Sequence, residues 1–83
     1  MIQLTIYSRP GCHLCEEMKA TVRRAAAVSR EPVKIDEIDI STDADLEARY
    51  GLDIPVLLVD GRKAAKHRVT EQELRRMLDA RHG

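Results

Sequence analysis

Apolar and polar residues alternate at the start of the chain. Ile2, Leu4 and Ile6 are separated by Gln3 and Thr5, a period of two that predicts a strand. Beyond position 12 the spacing lengthens: Cys15, Met18, Val22, Ala25 and Ala26 fall on one side of a helix, Lys19, Arg23 and Arg24 on another. This pattern predicts a helix from about Cys12 to Ser29, broken by Arg30-Glu31-Pro32. The stretch Val33 to Ile40 is rich in β-branched residues and predicts a second strand. Ser41 or Thr42 is expected to cap a short helix whose first turn carries Asp43 and Asp45 at the positive end of the dipole. Leu46 and Tyr50 are its expected buried residues and Gly51 a left-handed stop. Pro55 opens Val56-Leu57-Leu58-Val59, an apolar run typical of a strand covered on both faces. Asp60-Gly61 signals a two-residue hairpin and a short antiparallel strand near Arg62 to Lys66. Thr70-Glu71-Gln72-Glu73 reads as a capping box starting a last helix with Leu74, Met77 and Leu78 inward. Arg81-His82-Gly83 is expected to fray.

The element order is β-α-β-α-β-β-α. A right-handed crossover makes the first two strands parallel, and the hairpin adds an antiparallel pair. The expectation is an α/β domain over residues 1–83, a four-stranded mixed sheet flanked by helices on both faces. Eighty-three residues bury only roughly 60–65% of the surface exposed by the unfolded chain. With no Trp or Phe, and only Tyr7 and Tyr50 as aromatics, aliphatic side chains must fill the core.

Charge changes the picture mainly by exclusion. Charged residues are 34% of the chain, yet the formal net charge is zero, which argues against nucleic acid as a partner. The one local basic excess, Arg62 to Arg68, reads as a solvated edge. No apolar run approaches the roughly 20 residues of a membrane span, and Met1-Ile2-Gln3-Leu4 lacks the charged segment of a signal peptide. The expected setting is cytoplasmic, without membrane contact, and the expected state a monomer. There, structural disulfides are rare and a cysteine pair is more often catalytic or metal-binding.

The chain has two cysteines, and they stand three apart in Cys12-His13-Leu14-Cys15, at the expected start of the first helix. Beside a β-α-β pattern such a pair reads as a redox motif. Only a thiolate attacks a disulfide. A helix N-terminus supplies unpaired N–H groups and a positive dipole, which lower a cysteine pKa from about 8.5 into the range of roughly 3.5–7.5. Arg9 adds a permanent positive charge nearby and His13 another when protonated, while Glu16 and Glu17 oppose them weakly. Pro10 and Gly11 set the sharp turn that exposes Cys12.

Tyr7 to Cys15, the later Ile54-Pro55 and the Asp60-Gly61 hairpin together resemble the glutaredoxin family, small bacterial glutaredoxin-like proteins most closely. The resemblance implies a thioredoxin-like fold. It implies that Cys12 is the exposed nucleophile, Cys15 the more buried resolving thiol, and Ile54-Pro55 a cis bond facing them. Ile54 would then supply backbone hydrogen bonds to the substrate. Arg9 stands where many glutaredoxins carry a lysine that pairs with a glutathione carboxylate. No cofactor is implied as permanently bound; glutathione is the candidate co-substrate. Two departures bear on it. Lys66-His67-Arg68-Val69-Thr70 replaces the Gly-Gly and acidic residue that hold glutathione, and His-Leu replaces Pro-Tyr between the cysteines. Ile6 stands where thioredoxins keep a buried Asp.

The expected function is a thiol–disulfide oxidoreductase using Cys12 and Cys15, with Arg9, His13, Ile54 and Pro55 as substrate-binding residues. Its partners are disulfide-containing proteins or small thiols. Two alternatives stand beside it. One is a metal or iron–sulfur module, which needs ligands beyond two thiolates. The other is a non-catalytic interaction domain of the same fold. An anion held by Lys66, His67 and Arg68 is a further possibility of the sequence.

Overall fold

The alternation at the N-terminus folds as a strand, β1 (Ile2–Ser8), whose residues are buried and half-buried in turn. The computed structural model describes the backbone of residues 1–82 and the side chains of residues 1–80. After β1 come α1 (His13–Ala27), β2 (Val33–Asp39), a single 3-10 turn (Ile40–Thr42), α2 (Ala44–Tyr50), β3 (Val56–Val59), β4 (Arg62–Lys66) and α3 (Glu71–His82). The sheet order is β2-β1-β3-β4. β1 runs parallel to β2 and antiparallel to β3, and β3 is antiparallel to β4. This is the expected four-stranded mixed sheet.

Its faces divide the core. Ile2, Leu4 and Ile6 of β1 and Leu57 and Val59 of β3 join Met18, Val22 and Ala25 of α1 and Leu74 and Leu78 of α3 in one cluster. The other face begins with Tyr7, which stacks on Tyr50 of α2 with ring centroids 4.5 Å apart. Both tyrosines are thus packing residues. α2 has seven residues, none fully buried. Leu46 and Tyr50, expected inside, are half-buried because so short a helix covers only one end of the sheet.

Turn chemistry accounts for the hairpin. Asp60 and Gly61 both have positive φ, 51° and 84°, the type I′ geometry whose twist matches the flanking strands. Asp60 is also tied to β1: its Oδ1 accepts from the Gln3 N–H at 2.9 Å, and its own N–H donates to the Gln3 carbonyl. A register shift between Leu57 and Leu58 leaves Ala64 as an extra residue in β4. That bulge lets Ala64 and Ala65 both pack against the core. β4 is an outer strand, and its Arg62, Lys63 and Lys66 are exposed, so the basic stretch begins as a solvated edge.

Several boundaries differ from expectation. Asp43, rather than Ser41 or Thr42, caps α2: its Oδ1 accepts from the N–H groups of Asp45 and Leu46. Ser41 instead donates to Asp39, and Ile40, fully buried, starts the 3-10 turn that ends β2. Gly51 is right-handed (φ −53°, ψ −33°), not a left-handed stop. Its need is for space, since an added Cβ would lie 2.5 Å from the Glu47 carbonyl oxygen. In α1, Thr21 is buried and Ala26 only half-buried. Arg81 and His82 continue α3 rather than fray, and Gly83 lies outside the described residues.

The capping box is present in both directions. The Thr70 N–H donates to Glu73 Oε1 at 3.1 Å, and the Glu73 N–H donates to Thr70 Oγ1 at 3.0 Å. Thr70 holds the Glu73 carboxyl below its usual range. A lowered carboxyl pKa adds stability that is complete above the unfolded value of about 4.3 and fades as pH falls through the folded value. Glu73→Gln is therefore expected to flatten the acid limb of a stability-against-pH curve below about pH 4. In urea titrations at neutral pH, Leu74→Ala should cost roughly 2–5 kcal/mol and Thr70→Ala about 1 kcal/mol. The 96%-exposed Leu52 should tolerate Ala within about 0.5 kcal/mol.

Candidate active site

β1 ends and α1 begins within four residues, and the sequence between them leaves one geometry. Pro10 and Gly11 occupy the two central positions of a turn closed by the Cys12 N–H donating to the Arg9 carbonyl at 3.3 Å. Gly11 has φ +79°, which a type II turn requires at that position and glycine adopts without strain. The turn delivers Cys12 as the N-cap of α1, in extended backbone (φ −84°, ψ 111°). There its sulfur takes the place of the usual capping oxygen: Cys12 Sγ accepts from the Cys15 N–H at 3.1 Å.

Cys12 and Cys15 form a disulfide with Cα atoms 5.2 Å apart. Cys12 is half-buried, whereas Cys15 is 1% exposed on the inner face of the helix. Of the pair, only Cys12 is open to attack by an incoming sulfur. In the reduced protein its thiolate would keep the Cys15 N–H as donor and the positive end of α1 as neighbour. His13 is exposed beside it.

The strand register places the proline loop. Tyr7 pairs with Val56, so Ser8 and Pro55 lie side by side at the end of the sheet from which the cysteine turn leaves. The Ile54-Pro55 bond is cis, as the resemblance implies. Pro55 is fully buried and Ile54 half-buried. Ile54 is less free than expected: its N–H donates to the Tyr50 carbonyl at 3.1 Å, closing the turn after α2. Among the described residues, nothing donates to its carbonyl.

Arg9 is committed elsewhere than expected. Its Nη2 is ion-paired to Glu47 on α2, while its Nε is buried without an acceptor. A cation so engaged contributes less positive potential at Cys12 than a free one. The pair lies against Gly51, where an added Cβ would also stand 3.0 Å from Glu47 Oε1.

Sequence reasoning missed Lys19, Glu37 and Asp39 beside Cys12. A hollow of about 270 Å³ is lined by Cys12, Arg9, Glu16, Lys19, Glu37 and Asp39 among others. Lys19 is ion-paired to Glu16 and, at 2.8 Å, to Glu37. These bonds raise the Lys19 pKa, and the Lys19 bond lowers that of Glu16. The Ser41 hydroxyl and N–H hold the Asp39 carboxyl below its usual range. Alternation gave the signal: Glu37 and Asp39 are two apart on β2 and face the same side.

His67 and Arg68 line one groove, which Lys66 does not join. Lys66 Nζ lies 3.7 Å from Asp53 Oδ1, His67 Nε2 is 3.2 Å from the Leu52 carbonyl, and the His67 N–H donates to the Pro55 carbonyl. The segment thus pins the proline loop to the end of β4. Among the described residues, no group of three or more His, Cys, Asp or Glu could hold a metal ion. No described helix is long and apolar enough to cross a membrane.

Sheet order, helix placement, a half-buried N-cap cysteine and a cis proline define a thioredoxin-like fold with a CxxC pair. The glutaredoxin-like domain (DUF836) family model matches residues 3–79, and the chain belongs to that family. The glutaredoxin-like protein YDR286C homolog of Dictyostelium discoideum is 30% identical over 77 residues, 88% of this chain and 71% of that one. The X-ray structure of protein XcR50 from X. campestris superposes with a TM-score of 0.77 at 36% identity, covering 93% of this chain and 96% of its own. Protein Ne2328 from Nitrosomonas europaea gives 0.76 at 28% identity, over 93% and 91%. Chloroplastic thioredoxin z shares the fold at 12% identity, with a TM-score of 0.78 over all of this chain and 80% of its own.

Gly51→Ala tests the packing under the Arg9–Glu47 pair. The right-handed backbone there suits alanine, so any loss is steric; a cost of roughly 1–3 kcal/mol in chemical denaturation is expected.

Proposed function

We propose that this protein is a thiol–disulfide oxidoreductase, exchanging the Cys12–Cys15 dithiol and disulfide with disulfide-containing proteins or small thiols. One observation carries the reading: the sulfur of Cys12 sits at a helix N-terminus, half-open to solvent, bonded to a neighbour sealed beneath it. That asymmetry divides the labour of exchange. Cys12 attacks the target disulfide and forms a mixed disulfide. Cys15, one helical turn on, then attacks the Cys12 sulfur and releases the target as a thiol. Family membership and the proline loop at the same end of the sheet support the reading. Arg9 acts through α2, by holding the cysteine turn, and the Ile54 carbonyl supplies a backbone acceptor to an extended substrate.

The direct test is a titration of the purified protein against dithiol and glutathione buffers spanning roughly −180 to −320 mV. A reversible two-electron transition is expected. Free thiols throughout that window would refute the reading. Cys12→Ser should abolish disulfide exchange, whereas Cys15→Ser should accumulate a mixed disulfide visible by intact mass. Alkylation rate against pH should place the Cys12 midpoint below the ordinary value of about 8.5. Arg9→Gln should move it little, since that guanidinium is held by Glu47.

A further inference from the structure

Two hollows flank α1, and in the lining of each the carboxylates outnumber Lys and Arg. On the β2 side, Arg9 and Lys19 meet Glu16, Glu37 and Asp39. Neither cation is spare, because Arg9 is held by Glu47, and Lys19 is shared between Glu16 and Glu37. On the α3 side lies a groove of about 230 Å³, lined by Leu14, Met18 and Val69 and by Glu17 and Glu73 together with Arg68 and His67. Leu14 stands between the two cysteines in the chain, so the groove starts one residue from Cys15.

The start of α3 would ordinarily be an anchorage for an anion. Here the chain fills it, as the Glu73 carboxylate accepts the Thr70 N–H and Thr70 Oγ1 accepts the Glu73 N–H. Hydrogen bonds from Ser41 and Thr70 favour the ionised forms of Asp39 and Glu73. An incoming disulfide therefore meets linings in which carboxylates outnumber Lys and Arg, with Arg23 and Arg76 as the cations nearest behind Glu16 and Glu73.

We propose that this site selects disulfides of protein segments in which Lys or Arg flanks the reacting cysteine. Glu16, Glu17, Glu37, Asp39 and Glu73 set that preference. The inference rests on the thiol–disulfide reading above and adds its substrate class. The chemistry is a full exchange. The Cys12 thiolate attacks one sulfur of the target, whose S–S bond breaks, and the departing thiolate takes up a proton. Cys15 then loses its proton and attacks the Cys12 sulfur, releasing the second target thiol. Two electrons pass from the protein dithiol to the target disulfide. Opposite charge near the sulfur raises the rate of encounter, and like charge lowers it.

The test uses the full chain, pre-reduced and freed of reductant, in single-turnover oxidation by three symmetric peptide disulfides. The peptides are identical except that Lys, Gln or Glu flanks the cysteine. Each rate is divided by that of the same peptide with 2-mercaptoethanol, which removes intrinsic differences in sulfur reactivity. The expected order is Lys above Gln above Glu, with a span of roughly ten-fold at low salt. That span should collapse in 1 M salt, where the Debye length is about 3 Å. Glu17→Gln with Glu73→Gln should also narrow it, while glutamine at position 73 still closes the capping box. Equal or reversed rates would overturn the charge preference and leave disulfide exchange standing. So would a lysine preference unmoved by both salt and the double variant. Failure of all three peptides to oxidise the protein would overturn both readings.

Discussion

The antiparallel register of β1 on β3 is the constraint on which the rest of this molecule depends. Pairing Tyr7 with Val56 brings the last residue of one strand beside the proline preceding the other. The cysteine turn and the cis peptide bond, some forty positions apart in the chain, then share one end of the sheet. A slip of one residue would carry Ile2, Leu4 and Ile6 from the core face to the other face. All three are 0% exposed in the observed register, and such a slip would forfeit that burial.

From that register the site follows by short steps. A strand that must become a helix within four residues needs a tight turn, and Pro10-Gly11 supplies the two dihedral requirements of a type II turn. The turn leaves Cys12 at the cap position, where a side-chain acceptor is wanted by the open N–H groups of the first turn. Sulfur meets that need, and a thiolate meets it better than a thiol. The same hydrogen bond that starts α1 is thus the one that favours the reactive form of the cysteine. Helix initiation and thiol activation are one interaction seen from two sides.

Much of this was legible in the sequence, for physical reasons. Period-two alternation, the aliphatic run at 56–59, the Asp60-Gly61 turn and the Thr70/Glu73 box each depend on neighbours a few positions away, and each folded as expected. Around α2 the expectation failed. Ser41, Thr42 and Asp43 are all competent caps, and what decided among them was Asp39, which takes the Ser41 N–H and hydroxyl and leaves Asp43 for the helix. Gly51 illustrates a similar ambiguity. Glycine serves both backbone freedom and close approach, and only the position of Glu47 shows that the second applies. Arg9 looked available because the sequence does not show its partner, Glu47, thirty-eight residues away. The hollow of Glu37, Asp39 and Lys19 was legible only in part: alternation sets Glu37 and Asp39 on one side of β2, but Lys19 joins them only when β2 docks against α1.

The composition of β4 has a colloidal consequence. An outermost strand offers an unpaired row of backbone donors and acceptors, an open template onto which another chain's strand can add. Here Arg62 and Lys63 stand exposed along that border, with Lys66 beside Asp53 at its end, so two such borders brought together would oppose like charges. A small domain that buries modest apolar area keeps little in reserve against partial opening. Like-charge repulsion at its rim disfavours the sheet-to-sheet accretion by which such domains are otherwise lost from solution.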